Sequence, residues 1–363
     1  MAYRHLAYEA LVQFCRQAFC GYGFSGEESG QITEVLLEAD LSGIESHGIQ
    51  RMTRYHKEIT SGMVKPGAAP EIVLETPVSA VIDGNDAMGQ LLGVKAMDLA
   101  VEKAKKSGIG LVSVRNSNHY GIAGYYVKRA IEADLIGVCM TNTEAIMVPT
   151  FGRQAMLGTN PIAMGMPADP VPFLFDAATT VVPRGKLEVY AKRGNGIPEG
   201  WALDETGRDC TDSDRVLANI IDKTGGGILP LGGSTELLAG YKGYGFGLIC
   251  EICTAVLSLG TTSNYIYRTP GRSNIAHCFY AVDYGIFGDK AAIKEKLGTY
   301  LSELRASGKA AGQARIFTHG EKEHEAHARV RAEGVPVNER TAAELETIAA
   351  YTHADPSLLQ YLD

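Results

Sequence analysis

Apolar residues recur at helical spacing over residues 6–20 and 26–42, as in ESGQITEVLLEADLSG, and Ser25 stands where it would cap the second segment with Glu28 three positions on. After the turn-rich VKPGAAP, EIVLETPVSAVIDG alternates like a pair of strands, and GQLLGVKAMDLAVEKAKKSG predicts an amphipathic helix that stops at Gly108. IGLVSVRN (109–116) and LIGVCMTN (135–142) are short, nearly continuous apolar runs, the pattern of strands buried on both faces. The helix predicted over YGIAGYYVKRAIEADL lies between them, giving a β-α-β unit whose strand ends carry NSNHYG and TNTEAI, where open α/β sheets hold ligands. NPIAMGMPADPVPFLFDAATT reads as strand rather than helix, and residues 225–247 are rich in glycine. A helix is predicted over 247–259, a strand over 276–288, and closing helices over 289–308, 321–333 and 341–350.

A chain of 363 residues exceeds the range in which one compact core keeps growing, so two lobes are expected. The formal charge of -8 and the lack of a Lys/Arg stripe exclude a nucleic-acid partner. The opening MAYRHLAYEALVQFCRQAF carries polar residues throughout and is neither a signal peptide nor a membrane span, so a soluble, cytoplasmic enzyme is expected. Seven cysteines scattered along a long chain read as reduced thiols. Cys250 and Cys253 form a CxxC inside an apolar helical run with no second pair for zinc, which predicts core packing.

Two glycine-rich stretches bear on cofactors. Gly21, Gly23 and Gly26 make a literal G-x-G-x-x-G, but it joins two helices instead of following a strand, so it is expected to be a helix end and turn. GGGILPLGGSTELLAGYKGYGFG would let backbone N–H groups approach phosphates beside Lys242, or it is a mobile surface loop. In ESHGIQRMTRY, His47 and Arg51 are four apart, which on a helix would set their Cβ atoms roughly 6 Å apart on one face. That is close to the span from the carbonyl oxygen to the carboxylate of a 2-oxo acid.

Taken together, SHGIQR (46–51), NSNHYG (116–121), GTNPIAMGMP (158–167), FDAATTVVPRGKLE (175–188), GIPEGWALDETG (196–207), LPLGG (229–233), GYKGYGFGL (240–248) and THGE (318–321) resemble the malate/L-lactate dehydrogenase family of the non-Rossmann type. Sulfolactate, ureidoglycolate and diketogulonate oxidoreductases belong to the same family. The motifs occur in family order over nearly the whole chain, and STELLAG before YKGYG resembles the malate-type branch. The resemblance implies an α/β homodimer with a non-Rossmann mixed-sheet NAD(P)-binding domain, residues 76–288, beside a helical lobe built from 1–75 and 289–363. It also implies a cofactor site lined by Phe175, Asp176, Ala177, Ala178, Thr179, Thr180 and Val181, by Lys242 and Gly243, and by His319, Gly320 and Glu321. Relatives often carry proline where this chain has His319.

Reducing a 2-oxo acid requires a carboxylate clamp, a proton donor at the developing alkoxide, and a nicotinamide held over the carbonyl carbon. Arg51 offers the planar fork for the carboxylate, and His47 or His119 handles the proton, with His47 favoured. Asn118, Tyr120, Thr159 and Asn160 are expected polar contacts, and Arg54 is either a second anion contact or a solvated residue. Oxaloacetate/malate is the first substrate expected, with NAD as cofactor and NADP as the alternative. Arg184, Lys186, Lys192 and Arg193 are candidate partners for a 2′-phosphate. Another 2-oxo acid, such as sulfopyruvate, ureidoglycolate's oxidised partner or a diketo sugar acid, is the runner-up, followed by a non-catalytic nucleotide-binding relative. His319, His324 and His327 suggest a zinc hydrolase, but the last two stand on a charged helix expected to be a solvated face, so no metal is expected.

Overall fold

The computed structural model describes residues 3–362. A short strand, β1 (Tyr3–Leu6), precedes helices α1 (Tyr8–Gly21) and α2 (Gly26–Leu41). Ser25 caps α2 in a reciprocal box with Glu28, at 3.2 and 2.8 Å. The G-x-G-x-x-G is therefore a helix-to-helix turn: Gly21 ends α1, Gly23 adopts φ +98°, and Gly26 opens α2. Two 3-10 turns, Glu45–His47 and Ile49–Arg51, lead into α3 (Met52–Thr60). This corrects the expectation that His47 and Arg51 share one helix face, because the chain is broken at Gly48 between them.

Strands β2 (Glu71–Glu75), β3 (Ser79–Asp83), β4 (Ile109–Ser117), β5 (Ile136–Thr141), β6 (Ile162–Met166) and β7 (Phe173–Ala177) join a later strand, β10 (Ile275–Val282), in one seven-stranded sheet. Its order is β2-β3-β4-β10-β5-β6-β7, and β3–β4 is the parallel neighbour pair in an otherwise antiparallel ladder. The expected β-α-β unit thus has β10 inserted between its strands, hydrogen-bonded to both. β4 and β5 still point the same way, so Ser117 and Thr141 finish at the same end of the sheet, each paired with the start of β10.

Alternation along β10 separates two cores. Phe279 and Ala281 pack with the helices α4 (Gly89–Ser107) and α5 (Ala123–Glu132), while Cys278 and Tyr280 meet Met140 and Cys250 on the other face. Cys250 belongs to α8 (Gly240–Glu251), which continues through a π-helical turn, Ile252–Val256. The helix expected over 247–259 therefore begins at Gly240, inside the glycine-rich segment. It can do so because a Cβ at Gly243 would stand 2.3 Å from the Leu231 nitrogen, so only glycine lets the helix lie against that chain.

Between β7 and α8, helices α6 (Arg184–Lys192) and α7 (Ser213–Asp222) and the two-residue strands β8 (Ala202–Leu203) and β9 (Gly227–Ile228) enclose a small core of Val182, Leu187, Ile197, Val216 and Ile220. The chain ends with α9 (Lys290–Ala306), α10 (Glu321–Glu333), β11 (Val335–Asn338) and α11 (Glu339–Thr352). β1 pairs with β11, and Leu11, Phe14, Leu36 and Tyr55 share a core with Val330, Leu345 and Ile348, so the N- and C-terminal segments form one helical body. The sheet starts at Glu71, inside the expected 1–75 lobe, and α9 is tied to sheet-side residues through Lys290 to Asp134 and Lys294 to Asp169. No helix among the described residues is long and apolar enough to cross a membrane.

Candidate active site

The site begins at the end of α2. The Asp40 carboxylate is buried and accepts the Ile49 N–H at 2.7 Å; burial raises its carboxyl to about 8 against the lowering effect of that bond. A Cβ at Gly48 would lie 2.0 Å from Asp40 Oδ1, so the backbone passes directly over the carboxylate. This close approach fixes the two 3-10 turns on either side of Gly48, with His47 on one and Arg51 on the other, and the Arg51 charge is felt at His47. Arg51 Nε donates to the Ser46 carbonyl at 2.5 Å, while its terminal nitrogens make no hydrogen bond or ion pair among the described residues. The clamp expected from sequence is therefore a half-buried guanidinium with its fork free.

His119 lies in the loop after β4, and its ring stacks on His47 with centroids 5.7 Å apart and planes at 23°. Burial, together with the positive charges of Arg51 and Arg54, holds His47 down at about 3. Burial and then Arg54, His47, Arg51 and His277 hold His119 well below its ordinary value. Both imidazoles are thus neutral at neutral pH. His47 Nδ1 meets the Ser46 hydroxyl at 2.8 Å, and His119 Nδ1 meets the Tyr55 hydroxyl at 2.8 Å and the Gly121 N–H at 3.4 Å.

Other expected contacts face inward. Asn118 donates to the Asp86 and Ala87 carbonyls and accepts from Ser273, and Tyr120, 2 % exposed, stacks on His277 at 4.3 Å with its hydroxyl on Cys139. Asn160 donates to the Gly247 carbonyl and Glu251 and accepts the Thr143 N–H. The polar atoms of these three side chains are thus engaged with other residues of the chain. Thr159 is half-buried beside Thr143, and its carbonyl accepts from both the N–H and the hydroxyl of Thr179.

The expected cofactor residues follow one line along β7. At its start, the Leu174 N–H donates to the His319 carbonyl, and Gly320 at φ +98° lies where a Cβ would come 3.0 Å from the Pro172 carbonyl oxygen. His319 is exposed, its ring edge-on to Phe173 and Phe175, which is how the chain accommodates histidine there. Glu321 turns back onto the Thr318 hydroxyl and Arg315. In the middle of the strand the Asp176 carboxylate accepts the Gly124 N–H at the start of α5, 2.7 Å away. Its side chain stays open to solvent while protein surrounds it, the situation of a group in a cleft wall, and that enclosure raises its carboxyl to about 6. Beyond Ala177 and Ala178, Thr179 and Val181 exchange backbone hydrogen bonds with Leu229 and Leu231, and Thr180 bonds its own turn at Val182. Gly243 packs on Leu231, and Lys242 next to it is exposed.

Arg54 is neither a free anion contact nor solvated: its Nε bonds Glu58 at 2.8 Å, and it donates to Tyr267, which also donates to Glu58. Arg184 pairs with Glu188 at 3.0 Å and reaches Glu144 at 4.0 Å, and its charge is felt at Arg51, so it stands at the histidine end. Lys186 lies over the Trp201 ring, Arg193 is exposed, and the Lys192 side chain lies outside the described residues. His324 is exposed, but His327 departs from the expected solvated face by bonding Glu38 at 3.1 Å and Ser42. The described residues contain no group of three His, Cys, Asp or Glu able to hold a metal. Cys250 is core, and Cys253 is half-buried beside it. A cavity of about 240 Å³ lined by Glu144, Asn219, Lys223 and Arg268 holds neither histidine, and its Lys223 is already paired with Glu144 at 2.7 Å.

Sequence reasoning did not single out Asp40, Tyr55, Gln90 or His277. Tyr55 carried a signal, since His47, Arg51 and Tyr55 repeat at intervals of four. His277 carried none, because its partners Ser117 and Thr141 are far away in the chain.

The family model described as malate/L-lactate dehydrogenase matches residues 6–346. The chain belongs to this family. It is 42 % identical to a malate dehydrogenase of Pyrococcus horikoshii, over 94 % of this chain and 93 % of the relative. An L-sulfolactate dehydrogenase of Methanocaldococcus jannaschii is 37 % identical over 89 % of this chain and 90 % of its own. The crystal structure of malate dehydrogenase from Entamoeba histolytica superposes with a TM-score of 0.94 at 34 % identity, covering 98 % of this chain and 99 % of that one. As a malate/L-lactate dehydrogenase family member the protein is an oxidoreductase, and dehydrogenases of this family use a nicotinamide cofactor.

Proposed function

We propose that the protein interconverts a small 2-oxo acid and its 2-hydroxy acid with a nicotinamide cofactor, oxaloacetate and malate first. The observation that carries this is the free fork of Arg51 beside two neutral imidazoles, His47 and His119. A half-buried, unpaired guanidinium gains most from a planar anion that accepts two parallel hydrogen bonds, which a carboxylate does. In reduction the bound cofactor supplies hydride to the carbonyl carbon. Arg51 holds the carboxylate, and the imidazoles line the side on which the oxygen becomes an alkoxide. His47, once it has taken a proton from solvent, passes it from the imidazolium to that oxygen and is left neutral, and in oxidation the neutral ring takes the proton back; its Ser46 partner is a rotating hydroxyl that serves either protonation state. Burial first, and then the charges of Arg51 and Arg54, hold His47 neutral, and a substrate carboxylate on Arg51 offsets the charge part of that effect, which favours the imidazolium when substrate is bound.

The cofactor would lie along β7 between Gly320 and Lys242, with Asp176 within reach of it. An open carboxylate there suits ribose hydroxyls better than a 2′-phosphate, which supports NAD over NADP. Sulfopyruvate is the alternative substrate that the sulfolactate relative favours. We also propose a homodimer: Leu248, Ile252, Val256, Leu257 and Leu259 expose an apolar row along α8 and its continuation, the kind of patch that a second copy covers. Seven free thiols agree with a reducing cytoplasm. The test is oxidation of NADH and of NADPH, followed by absorbance, against oxaloacetate, pyruvate and sulfopyruvate in parallel. Turnover on oxaloacetate supports the reading, and none on any of the three with either cofactor overturns it.

A further inference from the structure

Alternation along β10 turns Cys278 onto the face that holds Met140 and Cys250, and Cys253 packs against that same small cluster. Cys278 stands opposite Ser113 in the β10–β4 ladder and opposite Met140 in the β10–β5 ladder, and residues paired in this way point to one face. The Ser113 hydroxyl donates to the Cys253 carbonyl at 3.2 Å, which seats Cys253 over that row. Cα atoms of the Ile252–Val256 turn come within 8 Å of those of both β4 and β10, close to the roughly 4.4–6.8 Å that a disulfide spans. The turn is π-helical, which inserts a residue into the helix and re-aims its side chains, a device frequent at functional sites.

Among the thiols of this cluster Cys250 is already engaged, for its Sγ donates to the Asn160 carbonyl at 3.1 Å. Cys253 and Cys278 remain, and their surroundings differ. Cys278 is fully buried and Cys253 half-buried, so a small solute meets Cys253 first. The Cys278 thiol lowers Cys253 below its ordinary value, burial opposes this and Tyr280 adds to it, while burial above all raises Cys278. An accessible thiolate beside a buried thiol is the arrangement in which oxidation of the first is resolved by the second. Neither sulfur has a part in the proposed hydride transfer.

We propose that Cys253 and Cys278 are a peroxide-responsive dithiol that closes a disulfide between the continuation of α8 and the central strand of the sheet. The oxidant is hydrogen peroxide. The Cys253 thiolate attacks one peroxide oxygen, the O–O bond breaks, and hydroxide leaves and takes up the proton that Cys253 lost, giving a sulfenic acid and water. The Cys278 sulfur then attacks the Cys253 sulfur, the S–O bond breaks, and the hydroxyl leaves with the Cys278 proton as a second water. Two thiols are oxidised and one peroxide is reduced. The test treats the unaltered protein, in its native assembly, with hydrogen peroxide and maps its peptides by mass spectrometry without reductant. We expect one cross-link joining the Cys253 and Cys278 peptides of a single chain, two of the seven thiols lost to it, and full return with dithiothreitol. In Cys278→Ser the reaction should stop at a sulfenic acid on Cys253 that dimedone captures, and in Cys250→Ser the same cross-link should form. A disulfide between any other cysteines, Cys250 and Cys253 included, a bond that joins two chains, or both thiols surviving the peroxide would overturn the proposal. The mapping is made on the unaltered chain, so a variant that fails to fold does not remove the answer.

Discussion

Replacing Gly48 by alanine probes the device that brings the clamp and the histidine together. The new Cβ would stand 2.0 Å from Asp40 Oδ1, 2.2 Å from its carboxyl carbon and 2.3 Å from Oδ2, where ordinary contacts begin at 3.4 Å. Asp40 cannot retreat freely: it is buried at the end of α2 and is bonded to the Ile49 N–H. The 3-10 turns must therefore move by an amount of the order of the shortfall, roughly 1 Å, and they carry His47 on one side and Arg51 on the other. A displacement of that size in a catalytic constellation costs roughly 100-fold in turnover. Overpacking of a buried site costs about 1–3 kcal/mol of stability. Steady-state kinetics on the preferred acid and urea denaturation of Gly48→Ala measure both. Adding Asp40→Ala removes the obstructing carboxylate, so the double variant should lose less than the product of the two single effects. Turnover within twofold of the parent in Gly48→Ala would refute the reasoning, because the backbone would then have room that the geometry denies it.

His47→Ala should lose about 100- to 10,000-fold in kcat with the thermal transition preserved, as calorimetry and kinetics together would show. Arg51→Lys should raise KM for the acid about tenfold or more, since an ammonium cannot form the two parallel bonds, and an unchanged KM would remove Arg51 from the clamp. His277 is fully buried and lowered to about 3, so the unfolded chain binds its proton first. That contribution to stability is complete above the unfolded value near 6.5 and falls as pH drops toward 3, by up to about 1.4 kcal/mol per unit. Urea midpoints measured across that range should decline less steeply for His277→Gln than for the parent. Leu257→Glu places a charge in the exposed apolar row of the α8 continuation and should shift the protein toward a monomer in sedimentation velocity; an unchanged assembly would place the dimer contact elsewhere.

Much of the site was legible because its chemistry is local. His47 and Arg51 sit in one motif and His119 follows a strand whose apolar run announces it, and in the structure the two imidazoles stack with the Arg51 charge felt at both. The route to that cleft was not legible. Helical spacing suggested one shared face, whereas the chain uses two 3-10 turns over a buried aspartate, and nothing in the local pattern reveals that Gly48 meets Asp40. Asn118, Tyr120 and Asn160 were legible as polar motif residues, but their partners Asp86, Cys139 and Glu251 were not, because those contacts span distant parts of the chain. The glycine-rich segment concealed the start of α8, since helix propensity counts glycine as a breaker while tertiary contact with Leu231 demands it. The strand β10 was visible as a strand, but its neighbours were not, because pairing over such a separation leaves no mark in a window of a dozen residues.

That insertion also sets the order of assembly. β4 and β5 are made early in synthesis, yet they do not touch as ladder partners; the strand that joins them, Ile275–Val282, emerges from the ribosome only after α6, α7 and α8 have been made. Until then the nascent chain carries two half-sheets with unpaired central edges, the exposed state that holding chaperones recognise. The same late strand delivers His277 between Ser117 and Thr141, so the floor under His119 closes at the step that completes the sheet. A chain truncated before Ile275 would thus fail as a whole, with edges open and the reactive end unformed, and would not survive as a partly active fragment.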